Sequence, residues 1–450
     1  MTDTLDITQL LADYISSAAT RPLPPDAAAK ARLHLIDTVA AIVSGRTLPA
    51  GREIVSIVAA EGGRAACSVL GTDILTTPAL AALANGMAGH ADETDDSHAP
   101  SLTHPGCVVV PAALAAGEAQ GCSGRDLLTA VALGYDIGTR VSMALGGSRF
   151  ADAYHLSSHG WGGTFGATAV AAMLAGLDAT ATRHALSYAV QTASGNRCWL
   201  RDPDHRQKAF IFGGMPAKQG VEAAGFAAAG LTGVADAMEG VPGLFAAFPE
   251  TAGAALAIED LGSRFEVMRT TIKKWTVGSP IQMALDCIHE VVTQQGVREP
   301  DVADILVTLP SQRSRVAQSD MPDINLPHAL ALYLVDGGVG FASLHDHARM
   351  RDPEVMRVAA KVRVEPRLGA ARGEQAHFTL TTTGGRIIHM TPQHVRGQPG
   401  NPMTEGEVHA KALDLFGLAL GVDRAQPLLD ALVAIESVAD LRDLRSLWQA

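Results

Sequence analysis

Apolar residues recur at close to helical spacing through most of the chain. Between 25 and 45, Leu33, Leu35, Ile36, Val39, Ala40, Ile42 and Val43 form a stripe with a period near 3.6, which predicts a helix. Pro25 and Asp26 open it and Gly45 supplies a stop. Segments of the same Ala/Leu-rich texture lie near 78–90, 109–118, 125–146, 166–176, 180–193, 215–230 and 281–296, parted by short Gly or Pro breaks. No period of 20–50 residues repeats, so the pattern is not that of a solenoid. After about residue 265, β-branched residues alternate with polar ones in ADILVTLP (303–310), AKVRVEP (360–366) and HFTLTTTGGRIIHMTP (377–392). These predict strands, the last of them a hairpin turning at Gly384-Gly385. Helical texture returns at 404–418 and 424–437. The expected fold is mainly α: a large all-helical domain formed by both chain ends (1–265 with 399–450), with a smaller α+β domain inserted at 266–398. RGQPGNP provides the turn-rich exit.

Composition sharpens this picture. Of 450 residues 47% are hydrophobic but only 4% aromatic, and much of the apolar share is alanine. Alanine has the best helix propensity and lets backbones approach, so close-packed helices are expected. The 35 Lys and Arg against 47 Asp and Glu leave a net charge of −12, which speaks against nucleic acid and anionic membrane surfaces as partners. The opening MTDTLDITQLLADYI lacks the basic-then-apolar order of a secretory signal. The apolar runs near 104–117 and 166–177 are too short or Pro-broken to cross a bilayer. Five cysteines (67, 107, 122, 198 and 287) are scattered without CxxC spacing, as suits a reducing compartment. A soluble cytoplasmic protein is expected.

Residues able to do chemistry concentrate in two places. GHADETDDSHAPSLTHPG (89–106) carries His90, Asp92, Glu93, Asp95, Asp96, His98 and His104 between two helical segments. Such a loop can hold both an acid and a base, or it can be an ordinary solvated acidic loop. Its spacing matches neither HExxH nor an EF-hand. NRCWLRDPDHRQK gathers Arg197, Arg201, His205, Arg206 and Lys208. In an acidic protein such a group could clamp carboxylates or phosphates, or simply pair with Asp202 and Asp204. Lys273-Lys274-Trp275 lies at the expected domain junction. GWGGTFG (160–166) follows no strand and lacks dinucleotide-fingerprint spacing, so its glycines are expected to serve tight loop-to-helix packing. GxSxG and P-loop patterns are missing from the sequence.

Several blocks in order resemble the MmgE/PrpD family, which includes 2-methylcitrate dehydratase, cis-aconitate decarboxylase and iminodisuccinate epimerase. They are LHLIDTVAAIVSG (33–45), ALANGMAGHADETDDSH with THPG (82–106), FGATAVAAMLAGLD (165–178), LTGVADAMEGVPGLFAAF (231–248), DINLPHALALYLVDGGVGFAS (323–343) and RGQPGNPMTEGEVHAKAL (396–413). The second is similar to the family's "NG..aHa.D.DD[ST]…HP" signature and is the most specific. The resemblance implies a helical domain with an inserted α+β lid, a homodimer, an interdomain cleft, and small di- or tricarboxylate substrates. It implies no cofactor and no metal. Carried over residue by residue, the catalytic set is Glu93, Ser97, His104, Lys208 and Lys273. Asp96, His159, Arg201, Arg206 and Gln282 are expected to bind substrate. Where many members read GFHPT before the FGA helix, this chain reads HLSSHGWGGTFGA, leaving His159 as the nearest substitute and His155 behind it. The lid segment often written KPYPCC…H appears as KKWTVGSPIQ, with Gln282 near the usual histidine. A Tyr or Phe before the lid helix appears as Ile324.

The chemistry shared by the family is proton traffic at a carbon flanked by carboxylates. His104, titrating near neutrality, is the expected acid/base. Lys208 and Lys273 are expected to offset developing negative charge. Dehydration of a 2-methylcitrate-like hydroxy acid is the first expectation. Decarboxylation of a cis-aconitate-like acid or epimerisation of an iminodisuccinate-like acid comes next, and a non-catalytic carboxylate-binding protein third.

Overall fold

A computed structural model describes residues 6–449 of the chain. The fold is mainly α, and the chain divides into two compact units. Among the described residues, the first comprises 6–91, 95–271 and 405–449; the second comprises 92–94 and 272–404.

In the first unit the predicted helices form where the caps place them. Pro25–Gly45 starts on a proline, whose missing N–H costs nothing in the first turn. Pro78–Gly89 is capped by Thr77, whose hydroxyl accepts from Leu80 N. Gly124–Leu145 opens with a capping box in which Ser123 and Asp126 satisfy each other's backbone N–H. Asp178 caps Ala179–Thr192, and Glu405–Leu420 and Val422–Val433 return from the chain's far end. The unit is not wholly helical: Cys67–Ser68 and Leu75–Thr76 pair as a short antiparallel ribbon.

GWGGTFG also departs from expectation. It lies inside the Ser158–Leu174 helix, not in a loop before it. A Cβ on Gly162 would stand 2.6 Å from the Gly138 carbonyl oxygen, so these glycines let this helix and Gly124–Leu145 touch backbone to backbone. That contact answers the shortage of aromatics, because close packing fills the space that large side chains would otherwise take.

The second unit holds a four-stranded sheet in the spatial order Val362–Arg367, Val302–Pro310, His377–Thr382, Ile387–Met390. The first pair is parallel and the other two antiparallel. A parallel pair requires a long crossover, supplied here by the segment that contains the helix Leu326–Asp336. Asn325 caps that helix by accepting from His328 N at 3.0 Å. Residues Ile305, Val307, Leu309, Phe378 and Leu380 point into one core with Leu285, Ile288 and Leu330. The turn between the last two strands contains Gly385, whose φ of 84° suits glycine.

The unit boundaries at 271/272 and 404/405 lie C-terminal of the texture changes near 265 and 398. Glu266 explains the first shift. Its carboxylate is buried among Arg264, Arg269 and His98, and its backbone N–H donates to Asp136 at 2.6 Å. Those partners hold the segment in the helical unit. Among the described residues, no helix is long and apolar enough to cross a membrane, and all five cysteines are free thiols.

Candidate active site

Three histidines surround Phe212 in the helical unit, and a fourth, His205, packs on one of them. His90 follows the Pro78–Gly89 helix, His104 precedes the Gly106–Gln120 helix, and His159 lies in the first turn of Ser158–Leu174. His205, in a left-handed conformation (φ 65°), begins a stretch that runs through the π-helical turn Phe210–Gly214. Such turns favour functional sites because they break the regular ladder. The His159 ring stacks on Phe212 with centroids 3.5 Å apart, and His90 stacks on it at 4.5 Å. His104 lies 4.9 Å from His90 and 5.3 Å from His159, centroid to centroid. His90 and His205 are 5.1 Å apart.

Asp95 binds this group together. One oxygen is 3.1 Å from His104 Nδ1 and the other 3.0 Å from His90 Nδ1. Burial by itself would raise the Asp95 carboxyl, but the two facing imidazoles outweigh it and hold it well below the usual range. Burial pushes His90 down. His159 is pushed well down, first by burial and then by the neighbouring His104, His90 and Lys208. Burial thus keeps the His90 and His159 imidazoles neutral near an ionised Asp95 carboxylate. With Nδ1–H given to Asp95, His104 turns Nε2 outward, and His104 alone of the four histidines is not buried. This Asp–His arrangement fixes a tautomer and leaves one nitrogen for proton transfer.

Lys208 supplies a cation to the same group, its Nζ 5.2 Å from the Phe212 ring centroid and 5.7 Å from that of Trp199. His90, Asp95 and Cys107 offer three ligating atoms within 4.8 Å of one another. The Cys107 thiol, however, donates to the His104 and Phe212 carbonyls at 3.2 and 3.7 Å, as a protonated thiol does.

Not every expected residue joins this group. Asp96 accepts from His34 Nδ1 at 2.6 Å, from Gly106 N at 2.9 Å and from the Tyr135 hydroxyl. Both oxygens are spent, so Asp96 pins the start of the Gly106–Gln120 helix beside His104 and is not positioned to bind substrate. Gln282 is likewise committed. Its amide donates to the Trp275 and Val277 carbonyls at 2.7 and 2.9 Å and accepts from Trp275 N at 3.1 Å, closing the 275–282 loop. Arg206 pairs with Glu53 at 2.6 Å and with Asp204. That is the ordinary surface pairing left open by the sequence, although with a different principal partner. Arg201 is exposed at the end of the short helix Arg197–Arg201. Ser97 pairs through its backbone with Thr271.

The remaining two residues meet in the second unit. Lys273 Nζ donates to the Glu93 carbonyl oxygen at 2.8 Å and stands 3.3 Å from its carboxylate, with both side chains buried. Beside them Asp92 Oδ2 is 2.9 Å from His345 Nε2. The polar loop 89–106 thus supplies both units: His90, Asp95 and His104 belong to the first, Asp92 and Glu93 to the second. Sequence reasoning named Asp95 and His90 in the polar loop but gave them no role, and it did not name Phe212 or His345. The first two stood in plain view in GHADETDD, whereas nothing local marks Phe212 or His345.

The comparisons with known proteins agree on ancestry. Residues 9–256 match the MmgE/PrpD N-terminal domain and residues 275–436 the MmgE/PrpD C-terminal domain. A cis-aconitate decarboxylase-like protein of Aspergillus oryzae is 30% identical over 202 residues, 42% of this chain and 41% of that protein. The cis-aconitate decarboxylase of Aspergillus terreus is 30% identical over 199 residues, 42% of this chain and 39% of its own length. The chain thus spans about two fifths of these fungal relatives. The cis-aconitate decarboxylase of Homo sapiens is similar over more of the chain, 25% identical over 406 residues that make up 83% of this chain and 80% of that one. Two domain matches in the family's order, covering most of the sequence, place this chain in the MmgE/PrpD family.

Proposed function

We propose that this protein is a lyase acting on a small di- or tricarboxylate, with His104 as the acid/base and Asp95 as its orienting carboxylate. The observation that carries this reading is the Asp95–His104 pair beside Lys208 and a second, neutral imidazole at His159. The relatives' names favour decarboxylation of a cis-aconitate-like acid as the first reaction to test. In that reaction the bond to the departing carboxylate breaks and carbon dioxide leaves. The freed electron pair forms a new double bond, and the carbon at the far end of the old one takes a proton from Nε2 of the doubly protonated His104 ring, whose Nδ1–H stays on Asp95. Solvent then returns a proton to His104. Lys208 offsets the negative charge that builds up as carbon dioxide departs.

The second reading is dehydration of a 2-methylcitrate-like hydroxy acid. It needs a base for the α-proton and an acid for the hydroxyl, and His104 with His159, 5.3 Å apart, could divide those tasks. A homodimer, implied by the resemblance, accompanies either reading.

Proton NMR in deuterium oxide on cis-aconitate and 2-methylcitrate separates them. Carbon dioxide loss with one deuterium gained supports the first reading, and hydroxyl loss supports the second. His104→Ala is expected to lower kcat about 10²–10⁴-fold. Near-normal turnover in that variant would remove His104 from the mechanism. Binding of either acid without proton exchange would leave a carboxylate-binding protein.

A further inference from the structure

The second unit contains a histidine whose protonation state can be read from its neighbours. His345 Nδ1 is 2.7 Å from the Phe341 carbonyl oxygen. A carbonyl only accepts, so Nδ1 carries a proton. The other nitrogen, Nε2, faces the Asp92 carboxylate at 2.9 Å, with Asp323 behind it at 3.9 Å. A lone pair there would meet two anions, so Nε2 carries a proton as well and the ring is an imidazolium. Its face stacks on Phe341 at 4.1 Å, which fixes the ring plane.

Asp92 carries the contact onward. Its carboxylate accepts from Thr94 N at 3.0 Å and from the Thr94 hydroxyl, folding Asp92–Thr94 into a tight turn. The residue at the middle of that turn is Glu93, whose carbonyl and carboxylate both face Lys273. The three residues 92–94 belong to the second unit although their chain neighbours on both sides belong to the first.

We infer that His345 is a positioning residue: as an imidazolium it holds Asp92, and through the Asp92–Thr94 turn it fixes the Glu93–Lys273 pair. The groups facing it from the elements around it are Asp92, Asp323 and the Phe341 carbonyl. Burial would lower the His345 pKa, but these three outweigh it and raise it to about 9. The contact therefore holds across neutral pH and weakens in alkali. Only its relevance to turnover rests on the lyase reading.

The test uses the full-length protein and needs no substrate. Lysine acetylation by a water-soluble succinimidyl ester, followed by peptide mass spectrometry, gives the reactivity of Lys273 relative to surface Lys218. His345→Asn is too short to reach Asp92 and is expected to raise that ratio about tenfold, as local opening of roughly 1.4 kcal/mol would. His345→Gln places an amide donor near the position of Nε2 without the charge, and is expected to restore most of the protection. Histidine NMR is expected to show His345 titrating near pH 9 in wild type, and moving down toward the ordinary range in Asp92→Asn. An unchanged Lys273 ratio in folded His345→Asn, or an ordinary His345 midpoint in wild type, would overturn the inference. In a separate arm kcat/KM falls about 10–100-fold in His345→Asn and recovers in His345→Gln. A wild type inactive on every carboxylate would defeat the lyase reading while leaving the lysine-labelling result intact.

Discussion

Asp95 and Asp96 are adjacent, chemically identical and both buried, yet they do different work. Asp96 faces Tyr135, His34 and the Gly106 amide, while Asp95 faces His104 and His90. Asp95→Asn keeps the shape but lets a neutral amide point either its oxygen or its NH₂ at His104. The NH₂ end would favour the tautomer with the lone pair on Nδ1, and neither end supplies the charge that steadies the imidazolium between donating a proton at Nε2 and regaining one. We expect kcat to fall about 10²–10⁴-fold while the thermal midpoint moves little. Nitrogen-15 NMR of His104 should show the tautomer shift. An unaltered tautomer with a full loss of activity would mean that Asp95 acts on substrate directly. At this scale His104, His159 and Lys208 were legible in the sequence, and the structure brings them together around Phe212. The division between Asp95 and Asp96 was not legible. It is decided by Tyr135 and His34, on helices distant in sequence, which claim one carboxylate and leave the other to the histidines.

Between elements, the histidine cluster depends on how closely two backbones approach. The Pro78–Gly89 helix meets the π-helical turn Phe210–Gly214 at Gly86 and Gly213. A Cβ on Gly213 would stand 2.0 Å from the Gly86 carbonyl oxygen, a distance no side chain movement can relieve. This approach places His90, just past the helix end, on the Phe212 ring. Gly213→Ala should therefore destabilise the unit by about 1–3 kcal/mol through overpacking and shift His90 and Phe212 apart. Denaturant unfolding reads the first effect and loss of turnover the second. A variant as stable and active as wild type would show that the turn can move without consequence. The element positions themselves were largely legible, since apolar period and caps mark Pro25–Gly45, Pro78–Gly89 and the hairpin His377–Met390. The Ser158–Leu174 start was misplaced because glycines that weaken a helix locally are repaid by its contact with Gly124–Leu145. The parallel pairing of Val302–Pro310 with Val362–Arg367 left no local trace, because it joins strands separated by a long crossover.

For the whole molecule, buried ionisable groups set how stability varies with pH. Six histidines, His34, His90, His98, His159, His289 and His328, are pushed down, each chiefly by burial. Below about pH 6.5 the unfolded chain protonates these groups before the folded one does, so stability falls with acidification. Asp37 and Asp136, raised by burial to about 6, act oppositely: the folded state holds their protons longer and gains as pH falls from 6 toward 4. Two carboxyls offset only part of what six histidines lose, so the curve should still fall between pH 4 and 6, less steeply than the histidines alone would make it. Under pH 4 it should steepen, as Asp95 and Glu266, the latter held at about 2, must finally be protonated. The alkaline side belongs to His345, which is raised to about 9. Its contribution is complete below about pH 6.5 and is lost as pH rises through 9, with a slope near 1.4 kcal/mol per pH unit within that window. Thermal unfolding from pH 5 to 9 should thus show a maximum near pH 7 and a decline up to pH 8.5. The buried thiols Cys67 and Cys287, pushed up to about 12, add to the loss above that point. His345→Gln keeps a donor but carries no titrating proton, so its curve should be nearly level from pH 7 to 8.5 and unchanged on the acid side. If the variant declines as steeply as wild type, the imidazolium is not what sets the alkaline limit, and the charge of the Asp92–His345 contact contributes nothing to holding the fold.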